Sequence, residues 1–219
     1  MKIIYVHGLG SGANSSTGAL LREIFIDDTV VCAEMPIKPL EALSYLKDLV
    51  NKEKPDLVIG TSLGGFYTMQ IAGVKKLLIN PALDADNDIK NVIGLGEYNS
   101  FCTRIDGIQK YIIDEQMIKD LAFLKNRFYN EWLDWEVKSE IFSIFGNSDN
   151  LFSHKDIFKR MFRKTNMFEI DGMGHRLTRD DIKKVKPIVK NILSKNNLFN
   201  LYWGTSDMLL VEHYVTIWN

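Results

Sequence analysis

A doubly wound α/β architecture, a mostly parallel sheet between two layers of helices, is predicted by three features of the 219-residue chain. Short continuous apolar runs recur, as in Ile3 to Val6 and Leu57 to Ile59; runs this short and this unbroken mark strands buried on both faces. Stretches with apolar residues every three to four positions separate them, long enough to cross from one parallel strand to the next. The two kinds of segment alternate along most of the chain, which places helices on both sides of one sheet.

Taken in order, Ile3 to Val6 is the first strand and ends at Gly8; Thr29 to Ala33 is the second and is stopped by Pro36. Between them Thr17 to Phe25 sets Leu20, Leu21, Ile24 and Phe25 at helical spacing. From Pro39, a residue pre-set for a first helical turn, Leu40, Leu43, Leu46, Leu49 and Val50 define a second helix. Leu57 to Ile59, Leu63 to Ala72 and Lys76 to Asn80 read as strand, helix and strand. The rhythm resumes with strand Ile141 to Phe145, helix Lys155 to Phe162, strand Met167 to Ile170 and helix Asp181 to Ser194, where Pro187 predicts a kink. One domain is expected over 1–219, with two stretches outside the rhythm. Residues 84–138 contain no convincing strand and lead from Gly94 and Gly96 into helical material from Glu115, rich in Phe123, Phe128, Tyr129, Trp132 and Trp135. This lid- or cap-like insertion either walls the substrate site or packs on the sheet as a helix pair. The apolar segment 196–219, with Trp203 and Trp218, is too hydrophobic for a solvated tail, and either joins the domain or makes a homo-oligomer contact.

Composition excludes several classes of function. With 27 basic against 28 acidic side chains there is no net field to attract a polyanion, and no basic run exceeds two residues, so nucleic-acid binding is not expected. The first apolar run is too short for a secretion signal or a membrane span, so the chain is read as cytoplasmic. Cys32 and Cys102 have no metal-ligand or disulfide spacing. Asp84, Asp86 and Asp88 imitate the start of a calcium loop, but Ile89 and Leu95 stand where glycine and a closing glutamate are required. Asn14-Ser15-Ser16 is a glycosylation acceptor in form only, given that reading of the N-terminus.

Gly60-Thr61-Ser62-Leu63-Gly64 directly follows a strand and opens a helix, the setting a G-x-S-x-G nucleophile turn requires. Its glycines are demanded by sterics: the turn is tight, and a side chain on either side of Ser62 would strike the neighbouring strand or helix. A hydroxyl is a weak nucleophile until a base takes its proton, so a histidine is expected downstream, preceded by a carboxylate. Of the four histidines, His7 precedes the turn and reads as structural, His154 starts a surface helix and His213 lies in the apolar tail. His175, in Gly172-Met173-Gly174-His175 beyond the last strand, is the candidate base. Asp149, in the loop after Ile141 to Phe145, is the candidate acid that fixes its tautomer, although aspartate is also a common turn and cap residue. Asp84 is the rival and Asp171 is too near His175 in sequence. His7-Gly8-Leu9-Gly10-Ser11-Gly12 leaves the first strand without the lysine of a P-loop or the G-x-G-x-x-G spacing. The amides of Leu9 and Leu63 are the expected oxyanion donors.

These residues resemble the α/β-hydrolase fold, and more narrowly the small bacterial esterases of the YqiA/YcfP type. The resemblance rests on His7-Gly8-Leu9, on Gly60 to Tyr67 with Leu78-Ile79-Asn80-Pro81-Ala82, and on Gly146 to Phe152 with Gly172 to His175. It implies a reduced sheet without two leading antiparallel strands, triad roles for Ser62, Asp149 and His175, and hydrolysis of a small carboxylic ester or thioester without a cofactor. Asn150 departs from the pattern, where a second acidic residue is expected. A catalytically silent scaffold that binds a small molecule or a protein, and an acyltransferase using the same triad, are the alternatives.

Overall fold

The computed structural model describes residues 1–131, 140–162 and 164–194. Six strands form one parallel sheet: β1 (Lys2–Val6), β2 (Thr29–Cys32), β3 (Leu57–Thr61), β4 (Lys75–Ile79), β7 (Ile141–Gly146) and β8 (Met167–Ile170), in the order β2-β1-β3-β4-β7-β8. All six were expected from their apolar runs. Every neighbouring pair is parallel, with Tyr5 beside Ile59 and Leu78 beside Ser143. The chain runs outward from β1 to β2 and then reverses to β3, so the strand ends beside β1 form the crevice in which doubly wound sheets bind ligands.

Alternate residues of each strand enter opposite core layers. Ile4, Val6, Val58, Leu78 and Phe145 pack with α2 (Pro39–Glu53), α3 (Leu63–Thr68), α5 (Glu115–Glu131) and α6 (Lys155–Met161), whereas Ile3, Tyr5, Leu57, Ile59, Leu77 and Ile144 meet α1 (Ser16–Ile24) and α7 (Arg179–Ser194). Lys54 closes α2 in the left-handed region at φ 47°. The α3 segment is shorter than its pattern suggested. Its last turn tightens, with the amides of Gln70 and Ile71 bonding three residues back to Tyr67 and Thr68. Pro187 lies within α7, which is one helix through Ser194.

Residues 84–138 require a correction, because they do contain strands. After the short α4 (Ala85–Asp88) and a wide helical turn over Ile89–Ile93, β5 (Gly96–Asn99) and β6 (Lys110–Ile113) pair antiparallel as a separate hairpin. Each has only four residues, β5 has no apolar run, and the ten residues between them exceed the two- to five-residue loops that advertise a hairpin. α5 then buries Met117, Ile118, Leu121, Leu124 and Phe128 in the core. Trp132, Trp135 and the whole segment 196–219 lie outside the described residues. The hairpin loop is fastened to the loop after β1. Arg104, almost fully buried, donates to the carbonyls of Ser11 and Met35 and pairs with Glu34 and Asp106, while Glu34 also accepts from the amides of Ala13 and Ile105. No helix among the described residues is long and apolar enough to cross a membrane.

Candidate active site

The candidate residues collect at the carboxyl ends of neighbouring strands. Ser62 follows β3 with φ 53° and ψ −121°, a conformation a non-glycine residue holds only under constraint from its surroundings. The constraint is visible: the Ser62 amide donates to the Ile79 carbonyl at 3.1 Å, and the Ser62 carbonyl accepts from Gly65, Phe66 and Ala82. The flanking glycines are required as expected. A Cβ on Gly60 would lie 2.4 Å from Thr68 Oγ1, and one on Gly64 would lie 2.2 Å from the Val6 carbonyl oxygen. Gly8 lies against the serine, where a Cβ would meet Ser62 Cβ at 3.1 Å.

His175 and Asp149 are brought together. The ring Nδ1–H donates to Asp149 Oδ2 at 2.7 Å, so Nε2 is the ring nitrogen left free of the carboxylate. The other carboxylate oxygen accepts from the amides of Leu151 (2.8 Å) and Phe152 (3.4 Å). The turn role and the histidine-orienting role that the sequence left as rivals are therefore carried by two oxygens of one carboxylate; the following helix begins at Lys155, beyond its reach. Burial alone would raise the Asp149 pKa; the hydrogen bond and charge of His175, with the two amides, outweigh it and hold the carboxyl below the usual carboxylate range. Such a group stabilises the fold above its unfolded-state pKa of about 4, and that contribution is lost as the pH falls through the lower native value. Asp149→Asn is accordingly expected to be less stable than the parent at pH 7, and the gap to narrow as the pH falls through the lowered native pKa, as read from urea midpoints over an acid pH series.

Ser62 and His175 are not joined. No hydrogen bond links Ser62 Oγ to the imidazole, and the hydroxyl has no partner among the described residues. Hydroxyl-to-base contacts are often long before substrate binds. The amides of Leu9 and Leu63 likewise have no acceptor among the described residues. Both residues border a pocket of about 30 Å³ with Gly8, Gly10, Tyr67 and Tyr111, but neither Ser62 nor His175 lines it.

The remaining candidates have other occupations. His7 donates from Nδ1 to the Gly8 carbonyl and accepts the Met35 amide at Nε2, so it braces the loop after β1. Asp84 pairs with Lys125 and Asn87, away from the His175 ring, and Asp86 shares Lys125. Asp171 accepts from Asn147. His154, expected on a surface helix, instead bonds the buried Asp88 at 2.8 Å and stacks on Phe152, whose ring meets His175 edge-on at 4.9 Å between centroids. No group of three or more histidine, cysteine or acidic side chains among the described residues could hold a metal ion.

Three residues in contact with the candidate site's loops were given no role by the sequence reading. Phe152 is one. Asn147 ties the acid loop to the histidine loop, donating to Asp171 and accepting the Gly172 amide at 2.7 Å each. Asn80, at the end of β4, bonds both loops. Each asparagine immediately follows or ends a strand run, in Ile79-Asn80-Pro81 and Gly146-Asn147, and that position was the available signal.

The architecture is the α/β-hydrolase fold. It is shared with Est1E from Butyrivibrio proteoclasticus, solved with ferulic acid bound, at a TM-score of 0.63 and 13% identity over 88% of this chain and 89% of that one. It is shared equally with alpha/beta hydrolase domain-containing protein 10 from mouse, at 0.63 and 13% over 89% and 90%. In sequence, a UPF0227 protein of Vibrio atlanticus (strain LGP32) is 30% identical over 113 residues, which span 47% of this chain and 63% of that protein. The match that covers most of the chain, residues 2–189, is to the family described as "Uncharacterised protein family (UPF0227)", and the chain belongs to it.

Proposed function

We propose that the protein is a serine hydrolase that cleaves a small carboxylic ester or thioester through an acyl-enzyme. The observation that carries this reading is the 2.7 Å bond between His175 and Asp149, formed across the loops of adjacent strands β7 and β8 at the same sheet edge as a serine held at φ 53°. In the proposed reaction Ser62 Oγ attacks the carbonyl carbon while His175 Nε2 takes its proton. The amides of Leu9 and Leu63 donate to the oxyanion, and the imidazolium, stabilised by Asp149, returns the proton to the leaving alcohol or thiol. Water then attacks the acyl-serine by the same route in reverse, releasing the acid and restoring the hydroxyl. Every group invoked is a side chain or amide of this chain, and no cofactor enters the scheme. A carboxylic acid bound to a protein of the same fold, as ferulic acid is to Est1E, is in keeping with it.

A fluorophosphonate probe tests the reading directly. The folded protein is expected to be labelled once, on the peptide carrying Ser62, and Ser62→Ala to remain unlabelled. Well-folded protein that takes up no probe would instead favour a binding scaffold.

A further inference from the structure

Resting on the triad proposed above, we infer that Asn80 is the residue that sets the spacing between the Ser62 turn and the His175–Asp149 pair, and so acts as a positioning residue for the reaction. Among the described residues three non-glycine residues have positive φ: Lys54 in its helix cap, Ser62 at 53°, and Asn80 at 44°. Asparagine tolerates this region better than most side chains. In the alternation of β4 the side chain after Ile79 would stand off one face of the sheet; in the left-handed conformation its amide instead reaches partners at the end of the adjacent β7 and in the loop after β8. Asn80 Oδ1 accepts the Gly146 amide at the end of β7 at 2.8 Å. Asn80 Nδ2 donates to the Gly174 carbonyl at 2.9 Å and to that of His175 at 3.4 Å. The orientation of the amide is fixed by chemistry, since a backbone N–H must face the oxygen and the two carbonyls must face the NH₂.

The same residue sits in the middle of the segment that holds the serine. Ser62 donates to the Ile79 carbonyl, and Ala82 donates to the Ser62 carbonyl, one residue before and two residues after Asn80. The Asn80 amide in turn donates to Ile144 of β7 at 2.9 Å. One residue, 3% exposed, therefore connects the acid loop and the backbone of the candidate base through its side chain, and the nucleophile turn through its backbone neighbours. Aspartate would keep the acceptor for Gly146 but turn a carboxylate toward two carbonyl oxygens. Glycine would keep the backbone conformation and remove all three side-chain bonds.

The experiment compares the parent, Asn80→Asp, Asn80→Gly and Ser62→Ala in p-nitrophenyl acetate hydrolysis, in the rate of fluorophosphonate labelling and in thermal melting. A misplacement of the base by about 1 Å is expected to lower kcat by roughly 10²-fold. For both Asn80 variants KM is expected to stay within about three-fold of the parent, because ground-state binding is untouched, labelling to slow by the same factor as kcat, and melting to remain cooperative. Should one variant fail to fold, the other decides. A folded Asn80 variant with parental kcat, or one in which kcat and KM deteriorate together in step with melting, overturns the inference. Full turnover by Ser62→Ala, or a parent that neither hydrolyses nor labels, overturns the triad reading itself, and so the two failures are distinguishable.

Discussion

Ser62→Ala is expected to lower kcat by roughly 10³-fold or more, about 4 kcal/mol of transition-state stabilisation, with no change in fold. The size follows from how such groups act. In the proposed reaction, loss of the hydroxyl removes the acyl-enzyme and leaves the His175–Asp149 pair no proton to take, so that only the proposed oxyanion donors and substrate binding would remain. The fold is expected to be indifferent because the hydroxyl bonds nothing among the described residues and alanine can occupy the same backbone conformation at similar cost. Urea unfolding should therefore place the variant within about 0.5 kcal/mol of the parent. Steady-state hydrolysis of p-nitrophenyl esters, after removal of any contaminating esterase, is the measurement. Turnover surviving at the parental rate would move the chemistry elsewhere in the molecule.

The second large effect is on stability. Gly64→Ala is expected to cost about 3–5 kcal/mol, because its methyl carbon would come within 2.2 Å of the Val6 carbonyl oxygen and 2.5 Å of that of His7. Both obstacles are backbone, in and just beyond a central strand, and neither can rotate aside. Gly73→Ala serves as the control. Gly73 has φ 70° and nothing within 4 Å of where a Cβ would stand, so alanine there meets backbone strain without a clash and should cost about 1–2 kcal/mol. Equal costs in urea unfolding at the two positions would show that α3 does not press on β1 as closely as this. The comparison also bears on the site, since the same approach seats Leu63 and its amide beside the loop carrying Leu9.

The parts legible in the sequence are those written in local pattern. Each strand of the main sheet is a short run of apolar residues because both its faces are covered, and α1, α2, α5, α6 and α7 present an apolar stripe for the same reason. The turn at Ser62 is legible because its clashes involve neighbours that chain order already implies. Asp149 and His175 could be selected from strand order, since each lies in the loop that follows its strand. What could not be read is held by contacts across long separations. Asn80 meets Gly146 and Gly174, 66 and 94 residues away, and its one local signal, a place directly after a strand run, is shared with ordinary turn asparagines. Arg104 lies in the loop between β5 and β6, where an exposed arginine would be ordinary, yet it is buried by pairing with Glu34. The β5–β6 hairpin hides for a related reason: Lys110 to Ile113 alternates exposed and buried residues over only four positions, too few for the period to stand out.

The attachment of residues 100–106 to residues 8–14 has a mechanical consequence. Phe101 donates its amide to the Gly10 carbonyl, Asn14 reaches the Thr103 carbonyl, and the Arg176 guanidinium lies 4.5 Å over the Phe101 ring. Peeling the hairpin tip upward would separate a desolvated guanidinium from Glu34, one of its two counter-charges, a cost that grows with burial, and would break the bond to the Gly10 carbonyl. The two loops are consequently expected to move together, and amide exchange in residues 8–14 and 100–106 to be protected to a similar degree.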